Sequence, residues 1–385
     1  MYVQSEPAAD LAARLRAAVR GCDRKLSGFR QMTMRETLDA LAADPGADEY
    51  LSEPPDVYGG GIVRTLETRV AELLGTADAA FFPTGTMAQQ VSLRCWAQTT
   101  GSDVVATHPL AHIEVHERHA FRDLTGLRGI WPTSEPRLPT AAEVRAAERF
   151  GTLALELPLR DAGFVLPTWD ELVEVVAAAR DRGAQVHFDG ARLWECEPHF
   201  GRSLAQIAAL ADSVYVSFYK SLEGMSGAVL AGPEEFVASA KAWRHRYGGM
   251  VYQQWPTVLS ALIGLDRELP RLPGYVAHAK IVAAALASAV TGLSGAGVFP
   301  DPPHTHQFGL WLPYRAETLN EATLAQVQET GIVLADRWFP AAQYGVSHTE
   351  ITVSSNALDW TAQEIAGTFG AFLDRAATID RAAKG

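Results

Sequence analysis

Apolar residues along this chain follow two rhythms. Short apolar runs at 79–82, 103–107, 153–155, 186–188, 214–217 and 228–230 predict strands. Between several of them the apolar positions fall three or four apart. Leu172, Val173, Val176 and Ala177 give 169–180 one apolar helical face, and leucine and valine repeat at the same spacing over 65–74. Leu11, Leu15 and Val19 predict an N-terminal helix or arm. Strands alternating with helices indicate an α/β protein with a mostly parallel sheet.

The rhythm breaks in two places. Residues 44–61 turn to Asp, Pro and Gly and end in Gly59-Gly60-Gly61, which lets backbone approach a ligand or another chain closely, or makes a flexible turn. Residues 268–274 are rich in Pro and Arg and mark a boundary. Helices are expected over 234–246 and 256–265, and a long alanine helix over 276–290 leads into a smaller C-terminal domain. There 308–312, 332–335 and 350–353 read as strands and 360–372 as the closing helix. The expected division is an arm over 1–57, a large domain over 58–268 and a small α+β domain over 269–385.

Composition narrows the function classes. A chain of 385 residues, 48% hydrophobic and 20% charged, is ordinary for a soluble globular protein. Its formal charge of −12 disfavours nucleic acid as a partner. Cys22, Cys95 and Cys196 lie far apart without ligand-like spacing, so neither a metal site nor a disulfide framework is expected, and a reducing cytoplasm fits. The first twenty residues are broken by acids and arginines and no long apolar run follows, so no signal peptide and no membrane span are expected.

Candidate chemistry sits where strands end. The run at 186–188 ends in Asp189, with Arg192 three positions on, and the run at 214–217 leads to Lys220. Pyridoxal phosphate needs a lysine to hold it as a Schiff base and an acid to keep its ring nitrogen protonated. Ligands in parallel sheets bind at the carboxyl ends of strands, which would bring these residues to one place. The turn after 79–82, Pro83-Thr84-Gly85-Thr86, opens a helix and offers amides to a phosphate, or simply an N-cap. His108, His112 and His116 repeat every four residues; in a helix they would share a face, as metal ligands or with one imidazole lying flat on a cofactor ring.

With these blocks in place, the chain resembles the low-specificity threonine aldolases, in the β-eliminating lyase group of fold-type I (aspartate aminotransferase-like) pyridoxal phosphate enzymes. The likeness covers roughly residues 58–265. It rests on Asp56-Val57-Tyr58-Gly59, Phe82-Pro83-Thr84-Gly85-Thr86-Met87-Ala88, Ala111-His112-Ile113, Leu155-Glu156, His187-Phe188-Asp189-Gly190-Ala191-Arg192-Leu193, Lys220, and Trp243-Arg244 with Gly248-Gly249-Met250. The resemblance implies that Lys220 carries the cofactor, Asp189 binds its ring nitrogen, His112 stacks on the ring, and Gly85 and Thr86 hold the phosphate. It implies Arg192 on the substrate carboxylate, with a salt bridge to Asp189 as the competing role, and Tyr58 and Tyr219 beside the substrate. A homodimer or homotetramer with sites near the subunit interface follows by the same resemblance, the glycines at 59–61 and 248–249 being places for chains to meet.

Several departures bear on the reaction. Tyr219 stands where the family has a serine, and Ser221-Leu222-Glu223-Gly224 replaces its Gly-Leu-Gly run. The stretch Glu156-Leu157-Pro158-Leu159-Arg160 is expected to lose polar groups near the cofactor, and Thr349-Glu350 falls near the family's second carboxylate-binding arginine. Arg192 alone, a substitute such as Arg30 or Arg337, or a different kind of substrate would each answer the last. The expected activity is retro-aldol cleavage of a β-hydroxy-α-amino acid, with His112, His116 or a water as base. The rivals are β-elimination, transamination, racemisation or aldol condensation on the same cofactor, and a non-catalytic scaffold.

Overall fold

A seven-stranded sheet organises the larger of two units. The computed structural model describes residues 6–343 and 345–384, which divide into one unit of residues 33–273 and another of residues 1–32 with 274–385. In the larger unit the strands are β1 (Asp78–Phe82), β2 (Val104–Ala106), β3 (Arg128–Ile130), β4 (Thr152–Glu156), β5 (Gln185–Gly190), β6 (Ser213–Ser217) and β7 (Ala228–Gly232). Their order across the sheet is β1-β7-β6-β5-β4-β2-β3. Only β7 runs against its neighbours; the pairs β2–β3, β2–β4, β4–β5 and β5–β6 are parallel.

The unbroken apolar runs have a plain cause. Helices cover a parallel sheet on both faces, so its strands have no solvent side, and every residue of β4, β6 and β7 is buried. Helix α1 (Gly85–Thr100) packs on one face. Val91, Cys95 and Trp96 from α1 join Ala80, Phe82, Tyr215 and Leu230 from the sheet in one cluster. A buried polar network fixes α1 against β5: His187 Nε2 lies 3.0 Å from Gln89 Oε1, and Ser92 and Ser213 bond Nδ1 at 3.0 and 2.8 Å. Burial pushes the His187 imidazole down to about 3, so it stays neutral.

Residues 1–57 do not form one arm. Leu15 and Val19, on helix Glu6–Arg20, bury against Leu324, Val327 and Val333 within the smaller unit. Residues beyond Met32 belong to the larger unit, where Ala47, Leu41 and Tyr50 pack on Leu259, Ile263 and Trp255. The other division falls between Pro273 and Gly274. Among the described residues the one stretch apolar and long enough to cross a membrane, Trp255–Ala289, is two helices, Trp255–Arg267 and Leu272–Ala289, joined by the turn Leu269–Arg271. Val258 to Leu265 are buried in the protein, which is how a core helix behaves.

The smaller unit holds a four-stranded antiparallel sheet, in the order Phe339–Pro340, Ser347–Thr352, Gln307–Leu312, Gly297–Phe299. Helices Ala316–Thr330 and Ala362–Lys384 pack together beside it. Glu350 lies on the strand opposite Gly309, and Arg30 and Arg337 belong to the same unit.

Candidate active site

Strand register places three side chains in a row across the carboxyl end of the large sheet. Glu156 on β4 is paired with Asp189 on β5, and Asp189 with Tyr215 on β6. Residues directly opposite one another share a face, so the three project together. All three are buried. Asp189 Oδ1 accepts from the Ala191 amide at 3.2 Å, which orients the carboxylate. The next residue has to be glycine: a Cβ on Gly190 would sit 2.7 Å from the Tyr215 carbonyl oxygen and 2.9 Å from Leu193 Cβ.

The turns after β5 and β6 are tied to each other. Trp194 Nε1 donates to the Ser217 carbonyl at 2.9 Å, and Ser217 Oγ donates to the Ala191 carbonyl at 2.8 Å. Ser221, beside the lysine, bonds the buried Glu195. These bonds hold the Asp189 and Lys220 turns at fixed separation. Lys220 is consequently unusual: burial, helped by the Arg192 and Arg160 charges and opposed by Asp189 and Glu156, brings its amine down to about 8. Arg192 makes no salt bridge to Asp189 among the described residues; its guanidinium lies 5.2 Å over the Phe164 ring, and its buried Nε has no hydrogen-bond partner.

His112 opens the short helix His112–Val115, and its amide donates to Glu156 Oε2 at 2.7 Å. Its Nδ1 lies 3.4 Å from Glu117 Oε1. Burial works against the charged imidazole, but the Glu117 bond and the Asp189 charge outweigh it and raise the His112 value above normal. Glu117 is itself held by Gln90 Nε2 of α1 at 2.7 Å. Burial and the Asp189 charge push the Glu156 carboxyl up to about 7.

The other histidines have separate duties. His116, 5.2 Å from His112 between ring centroids, bonds Asp161 through Nε2 at 2.8 Å. His108 precedes the helix and so shares no face with them; its Nε2 meets the Glu135 carbonyl at 2.7 Å and its Nδ1 accepts from the Leu110 amide at 3.0 Å. His119 caps helix Ala120–Asp123. Among the described residues no group of three or more metal-ligating side chains converges.

Gly85 and Thr86 begin α1, whose first amides have no carbonyl partner in a preceding turn. Thr84 is the N-cap, accepting from the Met87 amide at 3.2 Å. A Cβ on Gly85 would collide with the Tyr215 hydroxyl and come within 3.2 Å of the Tyr219 hydroxyl. Both phenols therefore reach the start of α1. The Tyr58 ring instead packs edge-on against Tyr252 at 5.7 Å.

The structure thus brings together Lys220, Asp189, His112 and Arg192 by their mutual electrostatic influence, and Gly85 with Tyr219 by contact. Two participants had no marker in the sequence, Glu117 and Tyr215. Tyr215 was signalled only by its register with Asp189. The 156–160 stretch, expected to strip the site of polar groups, retains Glu156 on the His112 amide and puts the Arg160 charge near Lys220.

Comparison with known proteins identifies the family of the chain. The profile of the family described as Beta-eliminating lyase matches residues 33–307. Aldolase vrtJ of Penicillium aethiopicum is 31% identical over 242 residues, 60% of this chain and 60% of that protein, so the match spans less than two thirds of its length. A crystal structure described as an aromatic amino acid beta-eliminating lyase/threonine aldolase, from Exiguobacterium sp. 255-15, is 34% identical. It covers 94% of this chain and 99% of its own, with a TM-score of 0.85. A crystal structure from Listeria monocytogenes, described by assignment only as an L-allo-threonine aldolase, is 30% identical, covers 95% of this chain and 99% of its own, and gives a TM-score of 0.86.

Proposed function

The chain belongs to the beta-eliminating lyase family, and from that premise we propose that it is a pyridoxal-phosphate-dependent lyase cleaving the Cα–Cβ bond of a β-hydroxy-α-amino acid. The residues fit the cofactor. A buried amine brought down to about 8 stands near the Asp189 carboxylate, the absence of a Cβ on Gly85 lets the Tyr215 hydroxyl come up to the start of α1, and Arg192 keeps a buried donor unpartnered. The cofactor, when bound, supplies a ring that accepts the electrons of a bond broken at Cα.

The chain's own groups divide the remaining work. Lys220 would hold the cofactor through its amine. Asp189, aligned by the Ala191 amide, would keep the ring nitrogen protonated, and His112, fixed through its amide to Glu156, would pack against the ring. The first amides of α1 would hold the phosphate. Arg192, not committed to Asp189, meets the substrate carboxylate with its planar fork. The proton of the β-hydroxyl goes to an imidazole: His112 Nε2, Nδ1 facing Glu117, or His116 Nδ1, Nε2 being bound to Asp161.

The observation that carries this reading is the convergence of Lys220, Asp189, His112 and Arg192 at one end of the sheet. Tyr219, the main reason in the sequence to expect a different reaction, reaches toward Gly85, which weakens the case for β-elimination, transamination or racemisation. A scaffold role is disfavoured by an amine held near neutrality. Incubation with threonine, allo-threonine and phenylserine is expected to yield glycine and the matching aldehyde. Turnover to another product without aldehyde would sink the carbon–carbon lyase assignment and leave the cofactor reading intact.

The surface supports a contact between copies of this chain. Val57, Tyr58, Val251 and Tyr252 are large exposed apolar side chains on two glycine-rich loops joined by the Gln253 amide on the Val57 carbonyl at 3.0 Å. Such a patch suits a contact with a second copy. Sedimentation equilibrium is expected to give a dimer or tetramer, and the double substitution Tyr58→Asp with Tyr252→Asp to shift it toward monomer; wild-type protein that is monomeric at micromolar concentration contradicts the proposal. Cys22, Cys95 and Cys196 are all free thiols, which suits the cytoplasm.

A further inference from the structure

We propose that Tyr215 and Tyr219 form a paired-hydroxyl clamp on the cofactor phosphate, one phenol steadying the other, so that Tyr219 is a phosphate-binding residue rather than a substrate contact. This rests on the reading that the site holds pyridoxal phosphate and adds the donors that complete its phosphate end.

The two hydroxyls converge on one point. Tyr215 extends from β6 in register with Asp189, and its hydroxyl fills the space where a Cβ on Gly85 would be. Tyr219 comes from the turn after the same strand, and its hydroxyl lies 3.2 Å from that same position. Any side chain at Gly85 would thus displace the pair, which gives the glycine a reason beyond backbone freedom. Gly85 is the first residue of a sixteen-residue helix capped by Thr84, so the pair meets the end of α1 where an anion is favoured.

Hydrogen-bond accounting then points outward. The Tyr215 and Tyr219 hydroxyls bond each other. Each phenol has one proton to give, so the pair spends one internally and has one left for an outside acceptor. Both stay protonated. For Tyr215, burial comes first, with the Asp189 and Glu117 charges adding to it, and its value is raised well above normal. Burial raises Tyr219 too, with Asp189 and Glu117 adding to it and the Tyr215 bond and Arg192 opposing. A phosphate dianion is the acceptor that a helix start and a spare phenolic proton share, and a hydrogen bond to a charged acceptor is about twice as strong as a neutral one.

The substrate end offers no comparable fit. Arg192 is the cation suited to a carboxylate there, whereas Arg244, close to the Gly85 turn, is committed to Glu67 and the Phe81 carbonyl, which leaves amides and hydroxyls as the donors. Tyr219 is partly exposed, which leaves its O–H reachable by a ligand, while Tyr215 is buried and acts by holding it.

Equilibrium binding of pyridoxal phosphate and of pyridoxal, which lacks the phosphate, to the apoprotein tests this without any turnover. Tyr219→Phe is expected to weaken pyridoxal phosphate binding ~10-fold or more and to leave pyridoxal binding unchanged. Inorganic phosphate should compete less well against pyridoxal phosphate in wild type than the phosphate-bearing cofactor itself, and its own affinity should fall in the variant. Tyr215→Phe, a second variant with the same ring, is expected to show the same selective loss. Equal weakening of both ligands, or of neither, in folded variants overturns the clamp while the cofactor reading stands. Wild-type apoprotein that binds no pyridoxal phosphate overturns both.

Discussion

Lys220→Ala is expected to abolish turnover, with activity at least ~10³-fold below wild type, and to leave the purified protein without the visible absorbance of covalently held cofactor. No other lysine has been placed at the carboxyl end of the sheet, and the turn that carries Lys220 is fixed by Trp194 on Ser217 and Ser221 on Glu195. A pH series sharpens the result. The amine is lowered from 10.5 to about 8, chiefly by burial. Only the neutral amine attacks a carbonyl, so at pH 7.5 the reactive fraction exceeds that of an ordinary lysine by roughly two orders of magnitude. Cofactor attachment to wild-type apoprotein should accelerate as pH rises through about 8 and level off above it. A rate still climbing with the slope of an ordinary lysine at pH 9.5 to 10, or a Lys220→Ala protein within tenfold of wild-type activity, contradicts this assignment.

Asp189→Asn is expected to lower kcat by roughly 10²–10³-fold, with a smaller change in KM, because asparagine keeps the shape and loses the charge that holds the ring nitrogen protonated. The fold should survive: the Asn oxygen can still accept from the Ala191 amide, as Asp189 Oδ1 does. A second signature separates this from general damage. Glu156 is raised to about 7 by burial first and by the Asp189 charge second. Removing that charge lets Glu156 ionise at lower pH, so any limb of the pH profile that reports Glu156 should move to the acid side. A folded Asp189→Asn enzyme with kcat within threefold of wild type rules out the role given to Asp189.

These expectations were only partly readable in the chain. The strands of the large sheet were legible because a parallel sheet covered on both faces writes itself as unbroken apolar runs. Asp189, Gly190 and Arg192 were legible as a block, and the structure gives Gly190 a local reason, the Tyr215 carbonyl and Leu193 close beside it. The reversed direction of β7 and the short edge strand β3 were not marked, since pairing direction depends on neighbours distant in sequence. Residues 1–57 read as one arm because each half has its own apolar face. The faces find different partners, Leu324 and Val327 for one and Leu259 and Ile263 for the other.

By itself the sequence determined what is local: which segments become strand or helix, which residue follows Asp189 in its turn, and which side chains carry acid, amine and guanidinium. Tertiary structure alone decided that Glu156, Asp189 and Tyr215 stand in one row, that Glu117 holds His112, and that Tyr219 reaches the start of α1. The physical reason is register. Hydrophobic periodicity along one segment says which residues are buried, but which residue of the next strand lies opposite is set by hydrogen bonding between segments tens of residues apart.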